Sequence, residues 1–225
     1  MAGVLKPIKA PNLPVPPTGY SQTYLSILLN VFRLYFNQVD NAIRYLVGTR
    51  GGQYINSPYG AISSTVDQEA VANNTPTVFT FNTEDFANGV VLDGTGGTTA
   101  LKVAQDGIYN YQYSIQFVNT QSQAHTAWVW LRINGADAAG TGSKFDVPST
   151  HGSSDGYVIA ACNFYLSLQA NDIVELVWAS DRVKITSLAQ DGVYVEAYPV
   201  TTSPFNHPSI PSVVATLSFV SALQA

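Results

Sequence analysis

The sequence is poor in charge and in cysteine. Only 11% of its 225 residues are Asp, Glu, Lys or Arg, against roughly one quarter in soluble domains. The formal net charge is −5 and there is no basic run, whereas phosphate binding depends on clustered Lys and Arg. We therefore expect no nucleic acid partner. Cys162 is the only cysteine, so no disulfide within the chain is possible.

Segments that would insert into a membrane are also missing. Prolines and polar residues interrupt every apolar stretch before Arg33, so none reaches the roughly 20 residues that a membrane helix needs. The N-terminus has no apolar core followed by a small-residue cleavage site, and it does not match a signal peptide. We expect no membrane insertion.

Patterns that carry chemistry are absent as well. The three histidines are far apart in the sequence, and none has the partner four residues away that would complete a metal-binding pair on a helix. The glycine-rich stretch 93–99 lacks the Lys-Ser/Thr of a phosphate-binding loop. Glu175 and Glu196 are a candidate glycosidase pair only if they are neighbours in a sheet. We expect no enzyme activity, no metal and no cofactor.

Residues 1–19 are predicted to form an extended arm that anchors the protein. Prolines dominate the stretch PIKAPNLPVPP at 7–17, and each proline fixes φ and removes a backbone donor. Such a segment makes no ladder hydrogen bonds of its own, so it is ordered only against a partner. A disordered tail is the alternative interpretation.

Residues 20–62 are predicted to form a helical stalk and a linker. Ser21 or Thr23 can cap a helix that runs to about Val47, where Gly48 ends it. Apolar residues fall on heptad a and d positions and on an adjoining row. These residues are the predicted trimer and anchor surface: Leu25, Leu28, Leu29, Phe32, Tyr35, Phe36, Val39, Ile43 and Leu46.

A helix this apolar must be covered on most sides. The sequence is compatible with two alternatives for what covers it. The helix packs on its own β-domain, or it self-associates and docks onto a larger assembly.

Residues 63–225 are predicted to form a β-sandwich. Runs of Val, Ile, Thr, Tyr, Phe and Trp alternate with turn residues at short intervals, and many short strands favour two packed antiparallel sheets over a parallel one. The predicted strands are 77–82, 89–92, 99–104, 107–118, 125–134, 143–147, 156–168, 173–179, 183–188, 193–196 and 213–220.

Two of these strands have two apolar faces. In strand 107–118 one face is rich in tyrosine and the other is polar, which is typical of a strand with one wet side. In strands 125–134 and 156–168 both faces carry large apolar side chains, and a two-layer sandwich covers only one of them. We predict that a second subunit covers the other; glycan stacking is an alternative role for the aromatic residues. The candidate head trimer interface consists of Trp128, Trp130, Tyr157 and Tyr165.

The order of these strands resembles the globular head of complement component one q and the tumour necrosis factor superfamily. The segments that carry the resemblance are GIYNYQYS at 107–114, LRING at 131–135 and LSLQANDIVEL at 166–176. It covers residues 63–220 and implies a mainly β protein whose ten-stranded jelly roll assembles as a tight trimer. Where that family ends in an aromatic, glycine-containing strand, strand 213–220 follows a proline-rich approach. Receptor-binding roles are therefore not carried over.

The order of arm, single helix and jelly roll resembles virion proteins of tailed bacteriophages, particularly marine and cyanobacterial phages. The segments concerned are LPVPP at 13–17, RLYFNQ at 33–38 and PSIPSV at 208–213. The resemblance implies a homotrimer on the phage particle surface, either a short capsid fibre or a capsid decoration protein, which binds other virion proteins through residues 1–47. The alternative is a tail fibre, tail appendage or adaptor that binds host-surface glycan or a receptor through its head loops.

Overall fold

The computed structural model describes residues 8–47, 57–93, 98–199 and 205–223. Two compact units divide the chain, Met1–Asn56 and Ser57–Ala225. Gly48, which was predicted to end the helix, lies outside the described residues, as does most of the glycine-rich stretch 93–99. The side chain of Leu46 is likewise outside them.

The described part of the first unit contains one helix, α1 (Gln22–Val47). Ser21 caps it, because its Oγ accepts a hydrogen bond from the backbone N–H of Tyr24 at 3.2 Å. The hydroxyl of Tyr24 donates to the carbonyl oxygen of Pro14 at 3.4 Å, so the proline-rich arm contacts the first turn of α1. Within the described residues no helix combines the length and apolarity needed to span a bilayer.

The second unit is a sandwich of two antiparallel sheets. Its strands are β1 (Tyr59–Ser64), β2 (Thr77–Val78), β3 (Thr83–Asn88), β4 (Val90–Asp93), β5 (Ala100–Val103), β6 (Gly107–Asn119), β7 (His125–Ile133), β8 (Ala136–Asp137), β9 (Ser143–Val147), β10 (Gly156–Leu168), β11 (Ile173–Ser180), β12 (Val193–Val195) and β13 (Val213–Ser221).

Ten of these strands form the two layers. Sheet A has the order β10-β6-β13-β1-β3, and sheet B has β4-β5-β11-β7 with β9 along the far side of β7. The short strands β2, β8 and β12 extend the pairing of β11, β7 and β6. The chain passes from β5 in sheet B to β6 in sheet A and back to β7, which is a jelly-roll arrangement. The predicted jelly-roll sandwich with a preceding helix is confirmed.

The core lies between the layers and is built from alternating residues. In β6 the tyrosine-rich face is buried, as Tyr109 and Tyr111 show, while Gln112 on the opposite face is exposed. Phe117 of this strand packs on Trp178 of β11 with ring centroids 5.4 Å apart. This contact joins the two sheets directly, so the buried rows of β6 and β11 hold the sandwich together.

Several predicted strand limits were wrong. β1, β3 and β8 were not predicted, because their sequences are short or rich in small and acidic residues with low strand propensity. Residues 77–82 are a strand only at Thr77–Val78. The predicted strand 183–188 ends in a 3-10 turn, Thr186–Leu188, which Ala189 closes with a φ of 50°. The backbone N–H of Thr186 there donates to the carboxylate of Glu69 at 2.9 Å.

Candidate interaction surfaces

The helix α1 carries an uncovered apolar row beside a half-buried seam. The half-buried residues of the predicted surface are Leu28, Phe32, Tyr35 and Val39. Leu29, Phe36 and Ile43 recur every seven residues and are 65%, 64% and 52% exposed, and Leu25 is also exposed. Because a seven-residue repeat keeps side chains on one side of a helix, these three residues form a continuous apolar ridge. What covers the ridge stays a prediction.

The strand β10 presents a second uncovered apolar row. Its inward residues, such as Ala160 and Leu168, are buried, whereas Tyr157, Ile159 and Tyr165 on the outward face are 53%, 62% and 66% exposed. Within the described residues β10 pairs with β6 alone, so it is an edge strand of thirteen residues. A long apolar edge strand invites association with another chain.

The opposite edge of sheet A carries two exposed aromatic side chains. Tyr59 of β1 and Phe86 of β3 are exposed there, and the centre of the sheet between the two edges carries Gln112 and Ser218. The outer face of sheet A therefore has two apolar margins around a polar centre. Ile159 belonged to a predicted apolar row, but Tyr59 and Phe86 lie in strands that the sequence did not reveal.

A tyrosine network holds Glu196 at one end of this face. The Tyr194 hydroxyl donates to Glu196 Oε1 at 2.7 Å, and Lys184 Nζ lies 3.8 Å from the centre of the Tyr194 ring. The Tyr198 ring lies 6.5 Å from that of Tyr157. Burial, reinforced by the Glu196 carboxylate, raises the pKa of Tyr194 and Tyr198 far above the usual range. Both phenols therefore stay protonated and remain hydrogen-bond donors.

The four predicted head interface residues do not form one patch. Trp128 and Trp130 lie on the outer face of β7 in sheet B, whereas Tyr157 and Tyr165 lie on β10 in sheet A. The two-residue period of a strand identifies its faces but does not say to which layer the strand belongs. Whether either pair lies in a subunit interface stays a prediction.

The two tryptophans lie beside a hydrogen-bonded carboxylate. Trp130 Nε1 donates to Asp137 Oδ1 at 2.8 Å, and Arg132 Nε donates to the same oxygen at 3.1 Å. These two bonds lower the pKa of the Asp137 carboxyl. Glu175 is the direct neighbour of Arg132 on β11. The alternation of strand 125–134 already placed Arg132 on the face of the two tryptophans, but it did not single out the Asp137 carboxylate, because β8, which positions Asp137, has only two residues.

The two candidate catalytic carboxylates are not neighbours. Glu175 lies in β11 of sheet B, whereas Glu196 follows β12 of sheet A. The glycosidase pair is therefore not formed. In the part of the chain that the structure describes, no three His, Cys, Asp or Glu side chains converge as a metal site.

Comparison with known proteins gives a structural likeness only. The Eiger tumour necrosis factor from S. frugiperda matches with a TM-score of 0.45 and 12% sequence identity, over 76% of this chain and 97% of that chain. No protein-family model and no curated protein matches the chain.

Proposed function

We propose that this chain is a structural protein of a tailed-phage virion that forms a homotrimeric short capsid fibre or capsid decoration protein. Its arm and helix anchor it to other virion proteins, its jelly-roll head projects, and it has no enzyme activity. The observation that carries the proposal is the presence of two separate apolar surfaces, the ridge on α1 and the margins of sheet A. Each calls for a partner chain.

The arrangement of sheet A suits a closed ring of three subunits. A cyclic trimer needs two different patches on each chain, because its interface joins unlike surfaces of neighbouring subunits. Sheet A supplies such a pair in its two margins. One margin consists of Tyr157, Ile159 and Tyr165, and the opposite margin consists of Tyr59 and Phe86. The polar centre between them then meets the corresponding polar groups of its neighbours near the threefold axis.

The ridge on α1 supplies the anchor. A helix of 26 residues is about 39 Å long, which fits a short attachment segment better than the shaft of a long fibre. The proline-rich arm next to it has few backbone donors and a restricted φ, so it loses little conformational entropy when it is fixed on a surface. The virion setting rests on the resemblance of the arm, helix and jelly-roll order to phage proteins.

Attachment to particles tests the proposal. Serine replacements of Leu29, Phe36 and Ile43 remove the ridge, whereas serine replacements of Asn30 and Asn37 alter only the polar strip of the same helix. We expect the ridge variant to stay trimeric and to be lost from purified particles, while the polar-strip variant is retained. Retention of both variants would contradict the anchoring role.

Electron microscopy of intact particles then locates the protein. Density on the capsid surface supports a short fibre or decoration protein. Density on the tail favours the alternative of a tail fibre, appendage or adaptor.

A further inference from the structure

We propose that the outer face of sheet B binds a neutral saccharide on a tryptophan platform formed by Trp128, Trp130, Arg132, Asp137 and Glu175. This site goes beyond the proposed assembly, which uses sheet A and α1. A failure of the saccharide site would therefore not contradict the trimer, and a failure of the trimer would not contradict the saccharide site.

The platform offers two accessible indole rings on a rigid strand. Trp128 is 38% exposed and Trp130 is partly exposed, and residues two apart on one strand face lie about 7 Å from each other. β7 pairs with β11 on one side and β9 on the other, so the strand that carries both tryptophans is held across most of its length. Trp178 on β11 points into the core and is fully buried, which shows that this fold can bury a tryptophan where packing requires one.

The polar groups of the platform are already in place. Because Asp137 Oδ1 accepts hydrogen bonds from both Trp130 and Arg132, one indole ring, the guanidinium and the carboxylate hold one another in position. The Asp137 side chain is 62% exposed, and its Oδ2 makes no hydrogen bond within the described residues. The terminal nitrogens of Arg132 likewise make no hydrogen bond within the described residues. A carboxylate that accepts and a guanidinium that donates therefore border the aromatic surface.

This combination matches the chemistry of a pyranose ring. One face of such a ring carries C–H groups that pack on an indole, while its rim carries hydroxyl groups that both donate and accept hydrogen bonds. The carboxylates of Asp137 and Glu175 are acceptors for those hydroxyls and Arg132 is a donor. Arg132 is paired with Asp137 at 3.1 Å and Lys144 with Asp146 at 3.7 Å. Both cations beside the tryptophans therefore already have an acidic partner, and the platform does not favour an anionic ligand.

The apolar area is too small for a protein partner. A tryptophan side chain offers at most about 250 Å², so the exposed part of Trp128 amounts to about 100 Å². A stable protein interface covers about 800 Å² on each partner. The outward β11 residues that continue this face, Val177 and Ala179, are already buried. A small ligand that spans two indole rings fits the area that remains.

The test uses the full-length chain on an array of neutral hexose and N-acetylhexosamine oligosaccharides. The strongest binder is then titrated while tryptophan fluorescence is recorded. We expect Trp128→Ala to weaken its binding at least about tenfold, and Trp128→Phe, which keeps an aromatic face, to weaken it less than about threefold. The matched control is Phe205→Ala, which removes an exposed aromatic ring elsewhere and should leave the affinity within about twofold.

Two outcomes would overturn the saccharide site. One is that no oligosaccharide on the array binds the full-length chain. The other is that Trp128→Ala binds as tightly as the unchanged protein. The mass and the melting temperature of each variant are measured in parallel, so that a loss of assembly or folding is separated from a loss of ligand binding.

Discussion

Replacing Ile159 by lysine places a charge in the middle of the apolar margin of β10. In a single chain the side chain at this position is 62% exposed, so lysine reaches water and the free energy of unfolding of the head should change by less than about 0.5 kcal/mol. In the proposed trimer the same position is covered by a neighbouring subunit. The substitution therefore separates assembly from folding.

The size of the effect follows from the exposed fraction of the side chain. Complete burial of an isoleucine contributes about 1.5 to 3 kcal/mol, so covering the exposed part of Ile159 contributes about 1 to 2 kcal/mol per subunit. Three equivalent positions contribute about 3 to 6 kcal/mol to the trimer, and the desolvation of lysine adds a further penalty. The association constant should fall by a factor of at least about 10² to 10⁴.

Size-exclusion chromatography with light scattering at micromolar concentration measures this change. The matched control is Leu188→Lys, because Leu188 is 70% exposed in the 3-10 turn Thr186–Leu188 and does not belong to sheet A. We expect Ile159→Lys to run as a folded single chain and Leu188→Lys to keep the mass of the unchanged protein. Equal masses for both variants would refute the assignment of β10 to a subunit interface.

Three further predictions concern the fold of the head. Gly156→Ala should lower the free energy of unfolding by about 1 to 3 kcal/mol in denaturant titrations, because its Cβ would overlap the carbonyl oxygen of Pro148, whereas Gly142→Ala meets open space and should be tolerated. Leu176→Ala should cost about 2 to 5 kcal/mol in the same assay, since it empties a fully buried site between the sheets; a loss below about 0.5 kcal/mol would contradict that packing. Burial raises the pKa of Tyr111 far above its unfolded value of about 10. Above pH 10 the phenol therefore ionises in the unfolded state but stays neutral in the folded state, so the free energy of unfolding is unaffected below that pH and falls as the pH rises beyond it. Tyr111→Phe should therefore reduce the loss of stability between pH 10 and pH 11 by about 1 kcal/mol, and unchanged pH dependence would refute the burial of this phenol.

The parts of the fold that could be predicted from the sequence are those with strong periodicity. The alternating tyrosines of β6 identify the strand and the face that it buries, and the seven-residue repeat of α1 identifies the helix and its apolar side. β3 could not be found in this way, because its six residues include Glu84 and Asp85 and it exists only through its pairing with β1. Tertiary pairing there overrides a weak local propensity.

The surfaces were harder to predict than the strands. Both Trp128 and Tyr157 could be assigned to a second apolar face of a strand, but the sequence does not show that β7 and β10 belong to different layers. The role of Asp137 depends on the approach of β8 to Arg132 across a tight turn, in which Asn134 and Gly135 adopt φ values of 50° and 80°. Contacts of this kind are set by three-dimensional pairing and leave no periodic signal in the sequence.

The oligomeric mass of the unmodified protein tests the central claim most directly. Sedimentation equilibrium of the full-length chain at micromolar concentration should give about 73 kDa, three times the chain mass of 24.2 kDa. A trimer of this mass would provide the neighbouring subunits that cover the apolar margins of sheet A. A well-folded protein that sediments at the mass of one chain under these conditions would contradict the trimer.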